Sequence, residues 1–179
     1  MRSLLRMPCP FQEMFRGSDS NAPMAFNGDV SSWQTSRVEE MTNLFHGCAH
    51  FSSNLSGWNV SQVRSTRLMF TRAESFTSDL SRWDVSKVTD FGFMFREATL
   101  FKSDLGAWDT SQASYLGWMF AMMPSLGPGD LGDLNRWDTS RATDMRVTAN
   151  RRSRTLSLFS DYPPFTLGLI FAVADLRSC

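Results

Sequence analysis

Three side chains of metal-ligating type, His46, Cys48 and His50, fall in one short stretch, and a zinc site would draw on their nitrogen and sulfur donors. Cys48, however, stands in a slot that Ala73 and Ala98 fill at regular spacing, which directs its side chain inward as packing. Two rows of short acidic or amide residues offer a second chemistry. Asp29, Asn54, Asp79, Asp104 and Asp133 form one row, and Asn59, Asp84, Asp109 and Asp138 the other. If equivalent residues lie side by side, Asp79, Asp84, Asp104 and Asp109 are candidate calcium ligands through their carboxylate oxygens; turn formation and capping account for the same residues without an ion. The row Trp33, Trp58, Trp83, Trp108 and Trp137 would present flat rings to sugars if it faced outward, whereas neighbours such as Leu80 and Val85 favour burial. Asn54-Leu55-Ser56 and Asn59-Val60-Ser61 match the glycosylation pattern, but both fall out of the repeat template itself and matter only in a secreted chain. Neither histidine has a serine and a carboxylate that the spacing would bring into a triad, and GxGxxG, GxxxxGK and HExxH are absent. No catalytic or cofactor-binding residue is expected, and calcium is the one cofactor in question.

What must position these residues is a repeat. Trp33, Trp58, Trp83 and Trp108 recur at one constant step, a period of about 25 residues, and Trp137 follows four places late. Phe45, Phe70, Phe95 and Phe120 keep the same step, as do Phe26, Phe51, Phe76 and Phe101, and serine recurs three places after each tryptophan of the row. The added residues fall at Gly127-Pro128-Gly129-Asp130, turn chemistry that belongs on an outside corner. A second irregularity lies at Ser18-Asp19-Ser20-Asn21.

Within the unit from Leu80 to Phe101, the apolar residues Val88, Phe91, Met94, Phe95 and Ala98 step by three, three, one and three, the face of a helical or 3-10 turn segment. Ser86 precedes that face as a candidate cap. Trp83 and Val85 alternate with polar neighbours and predict a short extended stretch. A single unit cannot bury its own aromatic face, so the units must stack. The expected fold is an α/β repeat solenoid, leucine-rich-repeat-like, with one short parallel strand and one helical or 3-10 turn per repeat. It covers residues 1–149, and residues 150–179 form a non-repeat tail.

The string Trp83-Asp84-Val85-Ser86-Lys87-Val88-Thr89-Asp90, followed by Met94-Phe95, Phe101 and Leu105, resembles the BspA-like leucine-rich-repeat family. It is similar in particular to the repeat of unknown function first described in mycoplasma surface proteins. The resemblance spans about residues 4–145; Ala113 and Ala142 replace the usual valine, and Phe91 and Leu116 the usual methionine. It implies a right-handed solenoid and an adhesion or interaction role at a cell surface, with protein or polysaccharide as ligand and no active site. A calcium-stabilised structural or matrix solenoid is the alternative.

Bulk properties narrow the partners. Eighteen basic and eighteen acidic residues cancel, which gives no electrostatic reason for nucleic acid or an anionic membrane. Arginine outnumbers lysine, with Arg64, Arg67 and Arg72 grouped in one unit, as a solvated face or a local anion contact. Cys9, Cys48 and Cys179 are odd in number and widely spaced, which speaks against a disulfide framework. No signal peptide is visible in the first residues, and the apolar run Phe165 to Ala174 is about half the roughly 20 residues a spanning helix needs. Leu5, Phe11 and Met14-Phe15 already sit in repeat register and the pattern stops after Met145. The chain therefore reads either as part of a longer array or as one whose reading frame changes near residue 146.

Overall fold

A computed structural model describes Met14, residues 25–127 and residues 129–146. The expected first unit, the Ser18–Asn21 loop, Cys9, Cys179, the apolar run near the end and the tail lie outside the described residues. Successive units lie side by side in parallel, linked at Glu40, Ser65, Asp90, Tyr115 and Asp144 by single-residue bridges. Among the described residues the one regular element is the 3-10 helix Leu134–Arg136, capped by Asp133.

Each unit is a circuit of turns. In the Trp83 unit, the amide of Trp83 donates to the Leu80 carbonyl and that of Val88 to Val85, so the alternation around Trp83 and Val85 comes from two consecutive turns. Backbone pairing between units falls later, from the bridge column onward. There the amides of Met41, Asn43, Phe45 and Gly47 donate to the carbonyls of Ser65, Arg67, Met69 and Thr71, always at the same separation along the chain. The intervening amides of Leu44, His46 and Cys48 close turns on Met41, Asn43 and Phe45. Amides along Met41 to Cys48 are thus satisfied alternately by the next unit and by their own. The pattern recurs from Thr66 to Ala73 and from Phe91 to Ala98.

The three-residue spacing of Phe91 and Met94 therefore reflects turns, and these do not propagate as a helix because the backbone reverses hand between them. Among the described residues, the non-glycine residues of positive φ fall in two columns: Asn43, Leu68, Phe93 and Trp118, and then Arg72, Glu97 and Met122, with Gly47 completing the second. Each reversal swings backbone amides across to the next unit. For an L-residue the left-handed conformation costs roughly 1–2 kcal/mol, and the ladder it creates holds that cost in place.

Inside the circuit, Phe45, Phe70, Phe95 and Phe120 stack at 5.8, 5.7 and 5.7 Å between ring centroids, nearly parallel. Phe26, Phe51, Phe76 and Phe101 form a second column at 6.0, 5.9 and 5.7 Å. The two columns meet within each unit, as at Phe70 and Phe76, 4.0 Å apart. Centroid spacings above the roughly 4.8 Å between paired backbones mean that each ring slides past the next, the offset arrangement that aromatic quadrupoles favour. Trp58, Trp83, Trp108 and Trp137 are buried, and each indole N–H donates to the carbonyl of Val30, Leu55, Leu80 or Leu105 in the preceding unit.

Small polar residues complete the seams. The hydroxyls of Ser53, Ser78 and Ser103 accept from the amides of Val30, Leu55 and Leu80 in the unit before. At the insertion, Leu105 donates instead to the Leu131 carbonyl, and Asp130 accepts from the Gly127 amide. The extra residues are absorbed as a local loop, so Trp137 returns to register.

Phe70→Ala is expected to lower stability by roughly 3–5 kcal/mol, against a change within about 0.5 kcal/mol for the exposed Arg82→Ala. Met122→Gly places glycine where Gly47 stands in an earlier unit and is expected to raise stability by about 1 kcal/mol, whereas Met122→Val lowers it. Urea unfolding of the four variants checks both expectations.

Candidate functional site

The two rows of short polar residues form the outer corners of the units. In the first row, Oδ1 of Asp29, Asn54, Asp79, Asp104 and Asp133 accepts the amide two residues on, at 2.9–3.1 Å. In the second, Asn59, Asp84, Asp109 and Asp138 do the same at 2.9–3.2 Å. Capping therefore belongs to the aspartate: the Ser86 hydroxyl donates to Asp84 at 2.6 Å, and the Ser86 amide donates to the same carboxylate oxygen at 3.2 Å. The hydroxyl and amide of Ser86 hold the Asp84 pKa below its ordinary value; the Ser81 and Ser140 amides do so for Asp79 and Asp138.

Of the candidate calcium ligands, Asp79 and Asp104 sit at one type of corner and Asp84 and Asp109 at the other, each committed to its own turn. Among the described residues no group of three or more His, Cys, Asp or Glu side chains comes together. Cys48 is fully buried with its pKa raised to about 11 by desolvation, His46 Nδ1 lies 3.2 Å from Asn43 Oδ1, and His50 is exposed. The grouped arginines each meet a carboxylate of a neighbouring unit: Arg64 with Glu39, Arg67 with Asp90, and Arg72 with Glu97.

A different surface gathers side chains that depart from the repeat. Along the ladder the bridge column runs Glu40, Ser65, Asp90, Tyr115, Asp144, and the left-handed column runs Asn43, Leu68, Phe93, Trp118. The Arg67 guanidinium lies 5.2 Å from the ring centroids of both Phe93 and Tyr115 and 3.6 Å from Asp90. Such cation–π contacts contribute about 0.5–1 kcal/mol each at exposed sites. Glycine at position 92 makes this possible, since a Cβ there would come within 2.5 Å of the Tyr115 ring and 3.0 Å of Arg67. Phe93 and Trp118, both half-buried, stack with planes 1° apart at 6.2 Å. Arg146 grips Asp144 through two parallel bonds and is the main cause of that carboxylate's lowered pKa. Further along the ladder Met122 is 59% exposed, the most open large apolar side chain among the described residues.

Residues 9–128, about two thirds of the chain, match the family described as Mycoplasma protein of unknown function, DUF285. The chain belongs to this family. The match is shorter than the expected 4–145 and leaves the Trp137 unit outside it. No curated protein and no solved structure matches the chain. Among the described residues no helix is long and apolar enough to cross a membrane.

The repeat pattern singles out none of the aromatic and arginine cluster as a site, apart from Arg67 as one of three grouped arginines. The signal that could have found it was Trp118, the one tryptophan outside the regular row and the register of the core.

A carboxylate whose folded pKa is depressed contributes stability that is complete above its unfolded pKa and is lost as pH falls through the folded value. The urea midpoint is therefore expected to be level above about pH 5 and to fall below about pH 4, the usual aspartate range. Asp84→Asn, which copies Asn59, should flatten part of that fall; a midpoint that rises on acidification contradicts the corner geometry. Thermal melts with calcium and with a chelator are expected to coincide, and a midpoint lowered by chelator would return the acidic rows to ion binding.

Proposed function

We propose that this chain is a non-enzymatic interaction scaffold, a right-handed leucine-rich-repeat-like solenoid of the BspA-like kind, which binds a protein or polysaccharide ligand at a cell surface. The observation that carries the reading is the cluster of Arg67, Phe93, Tyr115 and Trp118 on the ladder edge. Core columns repeat because each must stack on its like; these positions are released from that constraint and hold large aromatic and cationic side chains at the edge. Aromatic residues and arginine are the types that concentrate binding energy at interfaces. The cluster is also preorganised, with Arg67 fixed against two rings, which reduces the ordering cost of association.

A protein ligand is favoured over a polysaccharide. Phe93 has Trp118 stacked on its ring and the Arg67 guanidinium 5.2 Å from its centroid, and Tyr115 has the same guanidinium over its ring, whereas stacking on a sugar needs an open ring face. Binding by a wholly repeat-encoded feature, such as the tryptophan row, finds no support in the geometry because those indoles from Trp58 onward are buried.

The test screens the immobilised full chain against panels of cell-surface proteins and of polysaccharides, then measures each binder against Trp118→Ala and Arg67→Ala. The expected outcome is a protein ligand whose affinity falls at least tenfold in both variants, about 1.4 kcal/mol, and stays unchanged in Arg82→Ala. Binding indifferent to the cluster, or no binder in either panel, overturns the reading.

A further inference from the structure

We propose that the Trp58 unit carries acceptor sites for N-linked glycan, with Asn59 the preferred acceptor and Asn54 the second. The donor class is an oligosaccharide joined to a lipid through pyrophosphate. Both sites lie at the outer corners and not on the ladder edge, so they stand apart from the proposed ligand-binding cluster.

Both corner rows are otherwise aspartate in the units from Trp83 onward: Asp79, Asp104 and Asp133 in one, Asp84, Asp109 and Asp138 in the other. Aspartate closes the same turn as asparagine, as the matching bonds of Asp84 to the Ser86 amide and of Asn59 to the Ser61 amide demonstrate. Turn geometry therefore does not require asparagine at either place. What the Trp58 unit gains by having it twice is a pair of carboxamide nitrogens. Each is followed two residues on by serine, Ser56 or Ser61, and the intervening Leu55 and Val60 are not proline, as the acceptor pattern demands.

The geometry leaves those nitrogens accessible. Asn54 and Asn59 are exposed. Oδ1 of Asn54 accepts from the Ser56 amide at 3.0 Å and lies 3.4 Å from the Ser78 hydroxyl, while Oδ1 of Asn59 accepts from the Ser61 amide at 3.0 Å and the Ser61 hydroxyl at 2.7 Å. With the oxygen pinned to its own turn, Nδ2 is the end left to solvent. Each oxygen has two donors, but the hydroxyl donor is at 2.7 Å on Asn59 and at 3.4 Å on Asn54; the closer one draws more electron density from the amide and makes its N–H protons more acidic, which ranks Asn59 above Asn54.

In the transfer, Nδ2 attacks the anomeric carbon of the donor. A carbon–nitrogen bond forms, the bond from that carbon to the pyrophosphate oxygen breaks, one Nδ2 proton passes to a base of the transferase, and the lipid pyrophosphate leaves. The fold tolerates the product. Leu55, Trp58 and Val60 are buried in the core, so a sugar on the exposed asparagines extends away from the stack. The bridge column of this unit is reached only at Ser65, beyond both corners.

The experiment incubates the native full chain with a purified oligosaccharyltransferase and its lipid-linked donor, reads intact mass, and maps the modified residue after enzymatic glycan release. A short peptide containing an acceptor sequence serves as positive control in the same reaction. The expected result is glycan on Asn59, abolished both by Asn59→Asp, which restores the residue of the later units, and by Ser61→Ala, which keeps Asn59 and the amide bond of its turn. Thermal melts of the two variants confirm that each is folded. A native chain left unmodified while the control peptide is glycosylated overturns the proposal, as does modification of Asn59 that survives Ser61→Ala; glycan on Asn54 alone overturns the ranking.

Discussion

Before the insertion, alternate amides of each unit donate to carbonyls at one fixed separation further along the chain, and most other features follow from that constant step. A constant step requires every unit to travel the same path between ladders. Equivalent side chains then pile on each other, and a column accepts only residues that stack on their own kind. Phenylalanine satisfies this by offset stacking, and tryptophan does so while directing its N–H to the preceding unit. Where the path lengthens, as after Leu126, the surplus must loop out before the next ladder so that Leu116 still finds Asp144. Stability in such an arrangement is close to a sum over neighbouring units.

The ladder depends on backbone strain. Large residues such as Leu68, Phe93 and Trp118 rarely occupy the left-handed region, yet here they do so in register. The conformation turns alternate amides toward the next unit and, at the same points, sets these side chains at the edge of the stack instead of within it. One device thus satisfies the backbone and displays the variable residues. Gly92 and Gly117 add the clearance that lets Tyr115 lie against this edge with Arg67 beside it.

The outer corners follow a different rule. A carboxylate or carboxamide accepting the amide two residues on suffices to turn the chain, and either type serves. The row is consequently free to exchange aspartate for asparagine without disturbing the core, and chemistry carried by the side-chain nitrogen can appear in one unit alone. Ser86 illustrates how local a capping role is: its hydroxyl points back to Asp84, because the carboxylate is the stronger acceptor and reaches the amide first.

Period, register and the identity of the buried columns were legible in the sequence because burial forces like residues to recur at a constant step; Trp83, Phe70, Phe76 and Cys48 all lie in the core that their spacing marks. The insertion at Gly127–Asp130 was legible for the same reason. Which residues carry the pairing between units was not. Trp83 and Val85 alternate like a strand but are turns, and the pairing segment imitates a helix face because its turns close over three residues. Spacing reports which side chains face inward and says nothing of the hand of the backbone between them. The cluster of Arg67, Phe93, Tyr115 and Trp118 is assembled from three units, so the fixed step between units, and not any pattern within one, brings it together.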